Sequence, residues 1–482
     1  MQQALGAYED ADCARFHMPG HKGRGMGGFW RDGLIKWDVT ELSGTDNLHA
    51  PTGAILAAER DMAAAYGTRA SFFVVNGSTN AVQAMIFALA DDDRLLLARD
   101  CHRCAVSGAA LRGIETDYVL PRYDAKNALP GMVAPDDLER ELTRTHASAV
   151  LVASPNAYGF CADVPGLAKV CRRHGALLLV DGAHGAHFPF SDALPDGLGG
   201  VADLFSHSQH KTMDALTQAA SLHLGNCRIS PEQVRRALAM TETTSPSYLL
   251  MASLNWSVFM AKRRDWTKQV ERMVSLAERI EALGGFLLPH DPVGYGVLQR
   301  DKTRLVIDVT GRGLSGYEAQ AHLEARGVYA EMADLRRLVL ITSPSDDENW
   351  YARLLNALES LPFRPLEHTA DGGGMPQEQP ERAMGLREAA FANGERVPLE
   401  TSAGRIAAEP AGVYPPGIAL LMPGETITKD AVAYLQKQIL LGGALFGVRH
   451  GDILVVKEKQ SVFGTPCQPV KKVQGIVKGR NP

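Results

Sequence analysis

One lysine and one aspartate carry the side-chain chemistry that stands out most in this chain. Lys211 lies in the run SHSQHKTMDALTQAA, between a loop rich in hydroxyl and histidine side chains and a segment of small residues. Asp181 ends the apolar run ALLLV, a pattern typical of a short buried strand. A lysine that forms a Schiff base has to be held in place, desolvated and flanked by polar groups. The hydroxyl and histidine side chains next to Lys211 supply such polar groups, and Asp181 adds a carboxylate at a strand end.

Asp181 and Lys211 together indicate pyridoxal phosphate as a cofactor. In enzymes that use it, a lysine holds the aldehyde and a carboxylate keeps the pyridine nitrogen protonated. Ser208 and His210 directly precede Lys211, and His184 follows Asp181, so polar side chains flank both residues. Ligands of an open parallel sheet gather beyond the carboxyl ends of its strands, so the two segments predict one shared site.

A turn after another apolar run offers a place for a phosphate. Gly77, Ser78 and Thr79 follow SFFVV and precede the helical pattern NAVQAMIFALA. Backbone N–H groups and hydroxyls at a helix N-terminus suit a phosphate, although Ser or Thr there often serves only as an N-cap. His102 follows the strand pattern RLLLAR, where it can lie flat against an aromatic ring. No Walker A or G-x-G-x-x-G motif follows a predicted strand, so nothing indicates a nucleotide.

Histidine and cysteine pairs occur at spacings that metal ligands also use, but they do not complete a metal site. The H-x-x-H pairs in HGAH and HSQH lack a carboxylate or cysteine at the spacing of known sites. Cys101 and Cys104 form a C-x-x-C pair, but no second pair completes a zinc site. We therefore expect no metal, and two reduced thiols at the start of a helix.

Alternating apolar and helical patterns predict an α/β fold. Short apolar runs indicate buried strands, and the stretches between them indicate helices, so a mostly parallel sheet with helices on both faces is expected. The segment from 243 to 283 is predicted to form a turn and one long amphipathic helix. The predicted strands of the large domain are SFFVV, RLLLAR, SAVLVAS, GALLLVD, VADLFS and ASLHLG.

Changes of composition divide the chain into domains. The stretch EHTADGGGMPQEQPER concentrates Gly, Pro and charge with little apolar content, which is typical of a linker. The residues after 457 carry scattered lysines and are expected to form a solvated tail. The predicted segments are an N-terminal arm (1–50), a large cofactor-binding domain (51–284), a small α/β domain (285–366), the linker (367–382) and a C-terminal α+β domain (383–482).

Composition and charge exclude several classes of protein. The 482 residues are 45% hydrophobic and 22% charged, as in ordinary globular proteins. A net charge of -5 gives no reason to expect nucleic acid or an anionic membrane as partner, and no apolar run is long enough to span a bilayer. Seven scattered cysteines, and an N-terminus with neither a basic leader nor an apolar core, predict a reduced, cytoplasmic protein.

The chain resembles the Orn/Lys/Arg decarboxylases, which are fold-type-I pyridoxal phosphate enzymes. HMPGHKG and the S-x-x-HK loop are the distinctive motifs, and the matches run in family order over most of the chain. The sequence begins at the arm, so it is similar to the short, wingless branch of the family. The matching motifs are FHMPGHK (16–22), DVTELSGTDNLHAPTGAI (38–55), FFVVNGST (72–79), DCHRC (100–104), DGAHGAH (181–187), SHSQHK (206–211), TTSPSY (243–248) and AGRIAAEPAGVYPPGIALLMPGE (403–425).

The resemblance implies a role for each of the polar residues. Lys211 would form the Schiff base, Asp181 would pair with the pyridine nitrogen, and His102 would stack on the ring. His184 would lie near the phenolic oxygen of the cofactor or the carboxylate of the substrate. Glu409 would face the distal cation of a basic amino acid. The phosphate would be held by Ser78, Thr79, Ser208 and His210.

The implied reaction is pyridoxal-phosphate-dependent decarboxylation of a basic amino acid. Lysine, arginine or ornithine would give carbon dioxide and an amine that is a di- or polyamine precursor. Lys211 and His210 are both candidates to return the proton to the substrate carbon. The family's active site lies at a dimer interface, so we expect a homodimer or higher homo-oligomer. Residues 16–22 and 243–248 would then serve a neighbouring subunit.

Two other functions stay open at this stage. One is an aminotransferase or lyase on the same fold, although a transaminase would need an arginine clamp that the sequence does not reveal. The other is a catalytically silent scaffold, which would have no need to keep both Lys211 and Asp181. Gly182, Gln209 and the run SPNAYG depart from the family pattern, so the sequence alone does not rank the three substrates.

Overall fold

The computed structural model describes residues 13–24, 33–42, 44–289, 294–364, 378–414 and 417–457, together with residues 8, 30 and 376. The predicted linker lies largely, and the predicted tail after 457 wholly, outside these residues. Within the described part, no helix is both long and apolar enough to cross a membrane.

Strands and helices alternate through the large domain, as its apolar runs predict. The elements of all the domains are numbered in chain order over the described residues. The strands are β1 (Ala14–Phe16), β2 (Ala70–Val74), β3 (Arg94–Ala98), β4 (Glu115–Val119), β5 (Tyr123–Asp124), β6 (Leu129–Pro130), β7 (Ala149–Ala153), β8 (Phe160–Ala162), β9 (Leu177–Asp181), β10 (Leu204–His207), β11 (Ala220–Leu224), β12 (Val297–Arg300), β13 (Arg304–Asp308), β14 (Val328–Ala330), β15 (Met332–Ala333), β16 (Arg337–Ile341), β17 (Gly394–Pro398), β18 (Ala411–Tyr414), β19 (Ala419–Leu421), β20 (Ala444–Phe446), β21 (Val448–Arg449) and β22 (Asp452–Val456). The helices are α1 (Ala54–Tyr66), α2 (Gly77–Phe87), α3 (Arg103–Arg112), α4 (Pro135–Thr145), α5 (Val164–Arg173), α6 (Gln209–Thr212), α7 (Pro231–Ala239), α8 (Tyr248–Ala261), α9 (Trp266–Ala282), α10 (Gly316–Glu324), α11 (Glu348–Glu359), α12 (Leu386–Ala390) and α13 (Lys429–Leu440).

A seven-stranded sheet forms the core of the large domain, in the order β2-β11-β10-β9-β7-β3-β4. Strand β11 is antiparallel to both of its neighbours, and the other pairs are parallel. Leu178 and Leu179 of β9 point to opposite faces, yet both are fully buried, because apolar clusters cover each face. The predicted α/β class with a mostly parallel sheet is confirmed.

The segment predicted as one long helix forms two, α8 and α9. Helix α8 ends at Ala261, and α9 begins at Trp266. Asp265 accounts for the break, because its side chain accepts a hydrogen bond from the backbone N–H of Lys268 at 2.9 Å and caps the second helix. Residues 247–283 contain neither proline nor glycine, so no helix-breaking residue in the sequence signals the break.

The smaller units are built on antiparallel pairs. Strands β13, β16 and β15 form a three-stranded antiparallel sheet in the small domain. Strand β1 of the N-terminal arm pairs in parallel with β14, so the arm adds an edge to this domain. In the C-terminal domain, two three-stranded sheets, β17-β22-β21 and β19-β18-β20, accompany helix α13.

The N-terminal arm also contacts the segment that carries Lys211. The N–H of Gly20 donates to the carbonyl oxygen of His210 at 2.8 Å. A Cβ at position 20 would lie 2.5 Å from the carbonyl carbon of Thr212, so this approach requires glycine. Residues 16–22, which the resemblance assigns to a neighbouring subunit, thus contact the Lys211 turn of their own chain.

A buried ion pair joins the C-terminal domain to the large domain. Arg99 directly follows β3, and the side chains of Arg99 and Glu425 are 3% and 2% exposed. Nη1 and Nη2 of Arg99 donate to Oε1 and Oε2 of Glu425 at 2.5 and 2.6 Å. Nη2 also donates to the carbonyl oxygen of Leu420 at 2.7 Å. Because both side chains are shielded from water, each charge is stabilised mainly by the opposite charge of its partner.

Replacing Glu425 with glutamine is expected to lower the free energy of unfolding by about 3–5 kcal/mol, because Arg99 would stay buried without a counter-charge. Denaturant unfolding followed by circular dichroism measures the change. Glu395→Gln in the same domain is the matched control, since its pair with Arg405 is partly exposed and should contribute less than about 1 kcal/mol. Equal losses in the two variants would contradict a special role for Glu425.

Candidate active site

A pocket of about 290 Å³ lies at the carboxyl edge of the central sheet. Strands β2, β3, β9 and β10 run in the same direction, so the polar segments that come after them meet there. Gly417 and Ile418 of the C-terminal domain form part of the pocket wall. All eight residues predicted to bind the cofactor line this one pocket: Ser78, Thr79, His102, Asp181, His184, Ser208, His210 and Lys211.

Lys211 lies in the four-residue helix α6, which comes after β10. Its Nζ is 3.0 Å from Nε2 of His184, and its backbone N–H donates to the carbonyl oxygen of Ser208 at 3.0 Å. Burial lowers the pKa of the Lys211 amine, the carboxylate of Asp181 raises it, and the guanidinium of Arg304 lowers it. A lysine with a lowered pKa is more readily the free amine that attacks a carbonyl carbon.

Asp181, the last residue of β9, is held by groups on its own strand end and on β10. It lies beside Ser206 in the parallel register of β9 and β10. The hydroxyl of Ser206 and the N–H of Ala183 both donate to Oδ1 of Asp181, each at 3.2 Å. These two donors fix the orientation of a carboxylate that is 8% exposed and lines the pocket. The arrangement suits a carboxylate that must bind a protonated ring nitrogen.

Hydroxyl groups and backbone N–H groups meet where β2 passes into α2. Gly77 has a φ of 76°, a left-handed conformation that favours glycine, and it opens the 11-residue helix α2. The hydroxyl of Ser208 donates to the hydroxyl of Ser78 at 2.8 Å, so two segments that are far apart in the sequence lie next to each other. Together with Thr79 and the first N–H groups of α2, they form a cradle that suits a phosphate.

His102 and His210 differ in how they are held. His102 is exposed and caps α3, because its Nδ1 accepts a hydrogen bond from the N–H of Cys104 at 3.3 Å. Nδ1 of His210 donates to the carbonyl oxygen of Ala219 at 3.0 Å. Burial lowers the pKa of the His210 imidazole to about 4. His210 is therefore neutral near pH 7, whereas the ring face of His102 is available to a flat ligand.

His184 connects Lys211 to a buried arginine of the small domain. Its Nδ1 is 3.3 Å from Nη1 of Arg304, the first residue of β13. Arg304 is 1% exposed, and the same Nη1 donates to the carbonyl oxygen of Ala157 at 2.9 Å. Burial, followed by the positive charges of Lys211 and Arg304, holds the pKa of His184 well below its usual range. His184 is therefore a neutral imidazole with a partner on each nitrogen.

Two polar residues of the pocket, Asp100 and Asn156, were not predicted from the sequence. Oδ1 of Asp100 and Nδ2 of Asn156 are buried without a hydrogen-bond partner among the described residues. Burial raises the pKa of Asp100 to about 7, and the nearby Asp181 carboxylate adds to the rise. Both residues come just after the ends of sheet strands, and this position was the signal that could have identified them.

Glu409 does not lie at this pocket. Its Oε1 accepts a hydrogen bond from Nη2 of Arg396 at 2.7 Å within the C-terminal domain, and it is not among the lining residues. Within its own chain, the Glu409 carboxylate lies against Arg396 and not at the pocket. The expectation that Glu409 binds the distal cation is therefore not met within one chain. The sequence showed only a carboxylate near a proline-rich turn.

Replacing Glu409 with glutamine is accordingly expected to change KM for the basic amino acid by less than about twofold, the scale of a partly exposed ion pair. Steady-state kinetics on the preferred substrate measures the effect. Arg396→Gln, which removes the partner, should give the same result. A rise of about tenfold in KM for Glu409→Gln alone, equivalent to about 1.4 kcal/mol, would return Glu409 to the substrate site.

The cysteine pair and one histidine of each H-x-x-H pair contribute to the core. Cys101 and Cys104 are buried, and burial raises the pKa of both thiols, so they stay protonated. His187 is buried beside Asp301, with 3.3 Å between Nε2 and Oδ2, and His207 packs against aromatic rings. In the part of the chain that the structure describes, no group of three or more His, Cys, Asp or Glu side chains could hold a metal ion.

Comparison with known proteins shows similarity along most of the sequence. Residues 1–287 match the family model of the Orn/Lys/Arg decarboxylase major domain, and residues 374–444 match the C-terminal domain of that family. The arginine decarboxylase of Bacillus subtilis is 30% identical over 473 residues, which cover 93% of this chain and 96% of that protein.

Solved structures share the fold. The constitutive lysine decarboxylase of Escherichia coli aligns with a TM-score of 0.74 at 20% identity, over 95% of this chain and 81% of that chain. A structure of SPT with its PLP internal aldimine aligns with a TM-score of 0.52 at 18% identity, over 72% of this chain and 86% of that chain. These likenesses confirm the predicted fold-type-I architecture.

Proposed function

The chain belongs to the Orn/Lys/Arg decarboxylase family, and we propose that it releases the α-carboxylate of lysine, arginine or ornithine as carbon dioxide, with pyridoxal phosphate bound beside Lys211. The product is the corresponding amine, a di- or polyamine precursor. One observation carries the proposal: the amine of Lys211, the carboxylate of Asp181 and the hydroxyls of Ser78 and Ser208 line a single cavity. These are the groups that this cofactor requires.

The residues of the pocket fit pyridoxal phosphate part by part. Lys211 would bind the aldehyde carbon, Asp181 the protonated ring nitrogen, and His102 one face of the ring. The buried polar atoms of Asp100 and Asn156 that have no partner in the described residues are of the kind that a bound polar ligand satisfies. The phosphate would be held by the N-terminus of α2 with Ser78, Thr79, Ser208 and His210.

When bound, the cofactor supplies a sink for the electron pair of the broken carbon–carbon bond. The chain's own residues orient the reactants and move the proton. We assign the return of the proton to the substrate carbon to Nζ of Lys211, which lines the pocket beside His184 and which, as a free amine, can first take up the proton that the ammonium group of the substrate loses. His210, the other candidate, is a weak acid source because it is neutral and its Nδ1–H is donated to Ala219.

We also propose that the protein acts as a homodimer. Several apolar side chains are exposed in the segment 33–42, at the end of helix α7 and on helix α8, and contact with a second copy of the chain would cover them. Light scattering at assay concentration is expected to give at least twice the mass of one chain. A monomer with full activity per chain would contradict the dimer. These side chains are Ile35 (83% exposed), Leu42 (56%), Met240 (66%) and Phe259 (44%).

Release of carbon dioxide from a panel of lysine, arginine and ornithine tests the proposed function. The purified chain is supplied with pyridoxal phosphate, and carbon dioxide and amine are measured in equal amounts for the preferred substrate. Norleucine, which has no distal cation, is the control and should be turned over far more slowly.

The panel also separates the alternatives. Formation of a keto acid without carbon dioxide would indicate an aminotransferase instead. A chain that binds the cofactor but turns over none of the three amino acids would overturn the proposal.

A further inference from the structure

His184 lies between two cationic side chains and contacts each through a different ring nitrogen. Nδ1 is 3.3 Å from Nη1 of Arg304, and Nε2 is 3.0 Å from Nζ of Lys211. The Arg304 side chain is almost wholly buried, and its Nη2 has no hydrogen-bond partner within the described ranges. This contact spans two domains, since Arg304 begins a strand of the small domain and Lys211 comes after a strand of the large one.

The chemistry of arginine decides which nitrogen of His184 carries the proton. A guanidinium has only donors, so it can bond to Nδ1 only if Nδ1 is unprotonated. Burial and the two flanking cations keep His184 neutral, as its lowered pKa indicates. A neutral imidazole has one N–H, so the proton must lie on Nε2. Nε2 therefore donates toward Lys211.

A donor on His184 requires an acceptor on Lys211. An ammonium group has three donors and no lone pair, whereas a neutral amine can accept one hydrogen bond. At 3.0 Å the contact is therefore consistent with a neutral Lys211 amine. The other charged or titratable groups that act on these two side chains are Asp181, Glu331, Cys104, His102 and His210.

We propose that Arg304 is a positioning residue that fixes the tautomer of His184, so that His184 donates from Nε2 to Nζ of Lys211 and holds Lys211 as a free amine. The inference rests on the proposed function in one respect, that Lys211 is the lysine that attacks the carbonyl. A free amine is the form that can make this attack. Arg304 thereby prepares Lys211 without lining the pocket itself.

A purely structural role for Arg304 predicts different behaviour. Its bond to the carbonyl oxygen of Ala157 could brace the small domain against the segment after β7 whatever the tautomer of His184. Arg312 provides the matched control, because it is 3% exposed, lies in the same domain and, in the described structure, donates its hydrogen bonds to backbone carbonyls and not to histidine. Loss of either arginine should destabilise the fold, but only Arg304 should alter His184.

Nitrogen-15 spectra of histidine-labelled full-length protein, freed of cofactor, test the tautomer directly. The signal of His184 is assigned by its absence in His184→Leu. We expect an unprotonated Nδ1 and a protonated Nε2 in the wild type and in Arg312→Met. In Arg304→Met we expect the proton to move to Nδ1. A wild-type His184 with its proton on Nδ1, or an unchanged tautomer in Arg304→Met, would overturn the proposal.

The protonation of Lys211 is measured separately, by the pH dependence of its acetylation and mass spectrometry of its peptide. In His184→Leu the charge of Arg304 remains but the donor is lost, so the titration midpoint of Lys211 should rise by about one pH unit. In that background Arg304→Met should raise the midpoint less than it does in the wild type, because only the charge of Arg304 is then lost. An equal rise in the two backgrounds would mean that Arg304 acts only through its charge, and it would overturn the relay.

The wild-type spectrum and the His184→Leu titration keep the proposal testable if Arg304→Met fails to fold. Neither measurement uses substrate or cofactor. A failure of the tautomer test therefore leaves the decarboxylase assignment standing, and a failure of the amino-acid panel leaves the tautomer result standing.

Discussion

Lys211→Ala is expected to abolish turnover, by at least about a thousandfold, together with the visible absorbance of the bound cofactor. The side chain supplies the amine that bonds the aldehyde, and its Nζ is the group that we assign to proton return. The fold should survive, because α6 is held by backbone contacts such as the Lys211 N–H to the Ser208 carbonyl. Carbon dioxide release and the absorbance spectrum of the purified variant are the measurements.

Lys169→Ala is the matched control for this variant. Lys169 is an exposed lysine of α5, so its loss should leave absorbance and turnover at the wild-type level. Wild-type decarboxylation by Lys211→Ala would remove Lys211 from the reaction and, with it, the assignment of the pocket.

Asp181→Asn should leave the cofactor bound but lower kcat by about a hundredfold to a thousandfold, the scale of losing one electrostatic partner of the reacting group. An amide of nearly the same size can still accept from Ser206 and Ala183, but it carries no charge to hold a proton on the ring nitrogen. Cofactor content by absorbance and kcat by carbon dioxide release separate binding from catalysis.

Ser206→Ala should lower kcat through the same carboxylate, but to a smaller extent. It removes one of the two donors to Oδ1 of Asp181 but keeps the charge, so kcat should fall by about tenfold or less. If Asp181→Asn turned over at the wild-type rate with full cofactor content, Asp181 would have no electronic role and the ring nitrogen would need another partner.

The sequence was sufficient to predict many of the polar residues of the pocket because they lie at or just after strand ends. The apolar runs before Ser78, His102, Asp181 and Ser208 each predict a strand, and the carboxyl ends of parallel strands lie at one edge of the sheet. The pocket therefore contains every residue predicted to bind the cofactor. The resemblance to a family then assigned a role to each.

The remaining parts depend on contacts that no local pattern shows. Arg304 reaches His184 only because the small domain packs against the large one. Glu409 was assigned its role with the resemblance to the family, but its pair with Arg396 decides where its carboxylate lies. The break before Trp266 depends on the side chain of Asp265 and not on apolar periodicity. In each of these three cases, one specific side-chain contact decides where the residue lies or where the helix begins.

The position of Gly417 and Ile418 in the wall of the pocket has a consequence for when the protein acquires its cofactor. The phosphate cradle begins at Gly77, so hundreds of residues must be synthesised before the last part of the wall leaves the ribosome. Domains generally fold in order as they emerge, from the N-terminus onward. The large domain can therefore present a cavity that is still open on the side of Gly417 and Ile418 during translation. We expect tight retention of pyridoxal phosphate only after Gly417 and Ile418 have reached the pocket, which makes cofactor loading a late event in the folding of the chain.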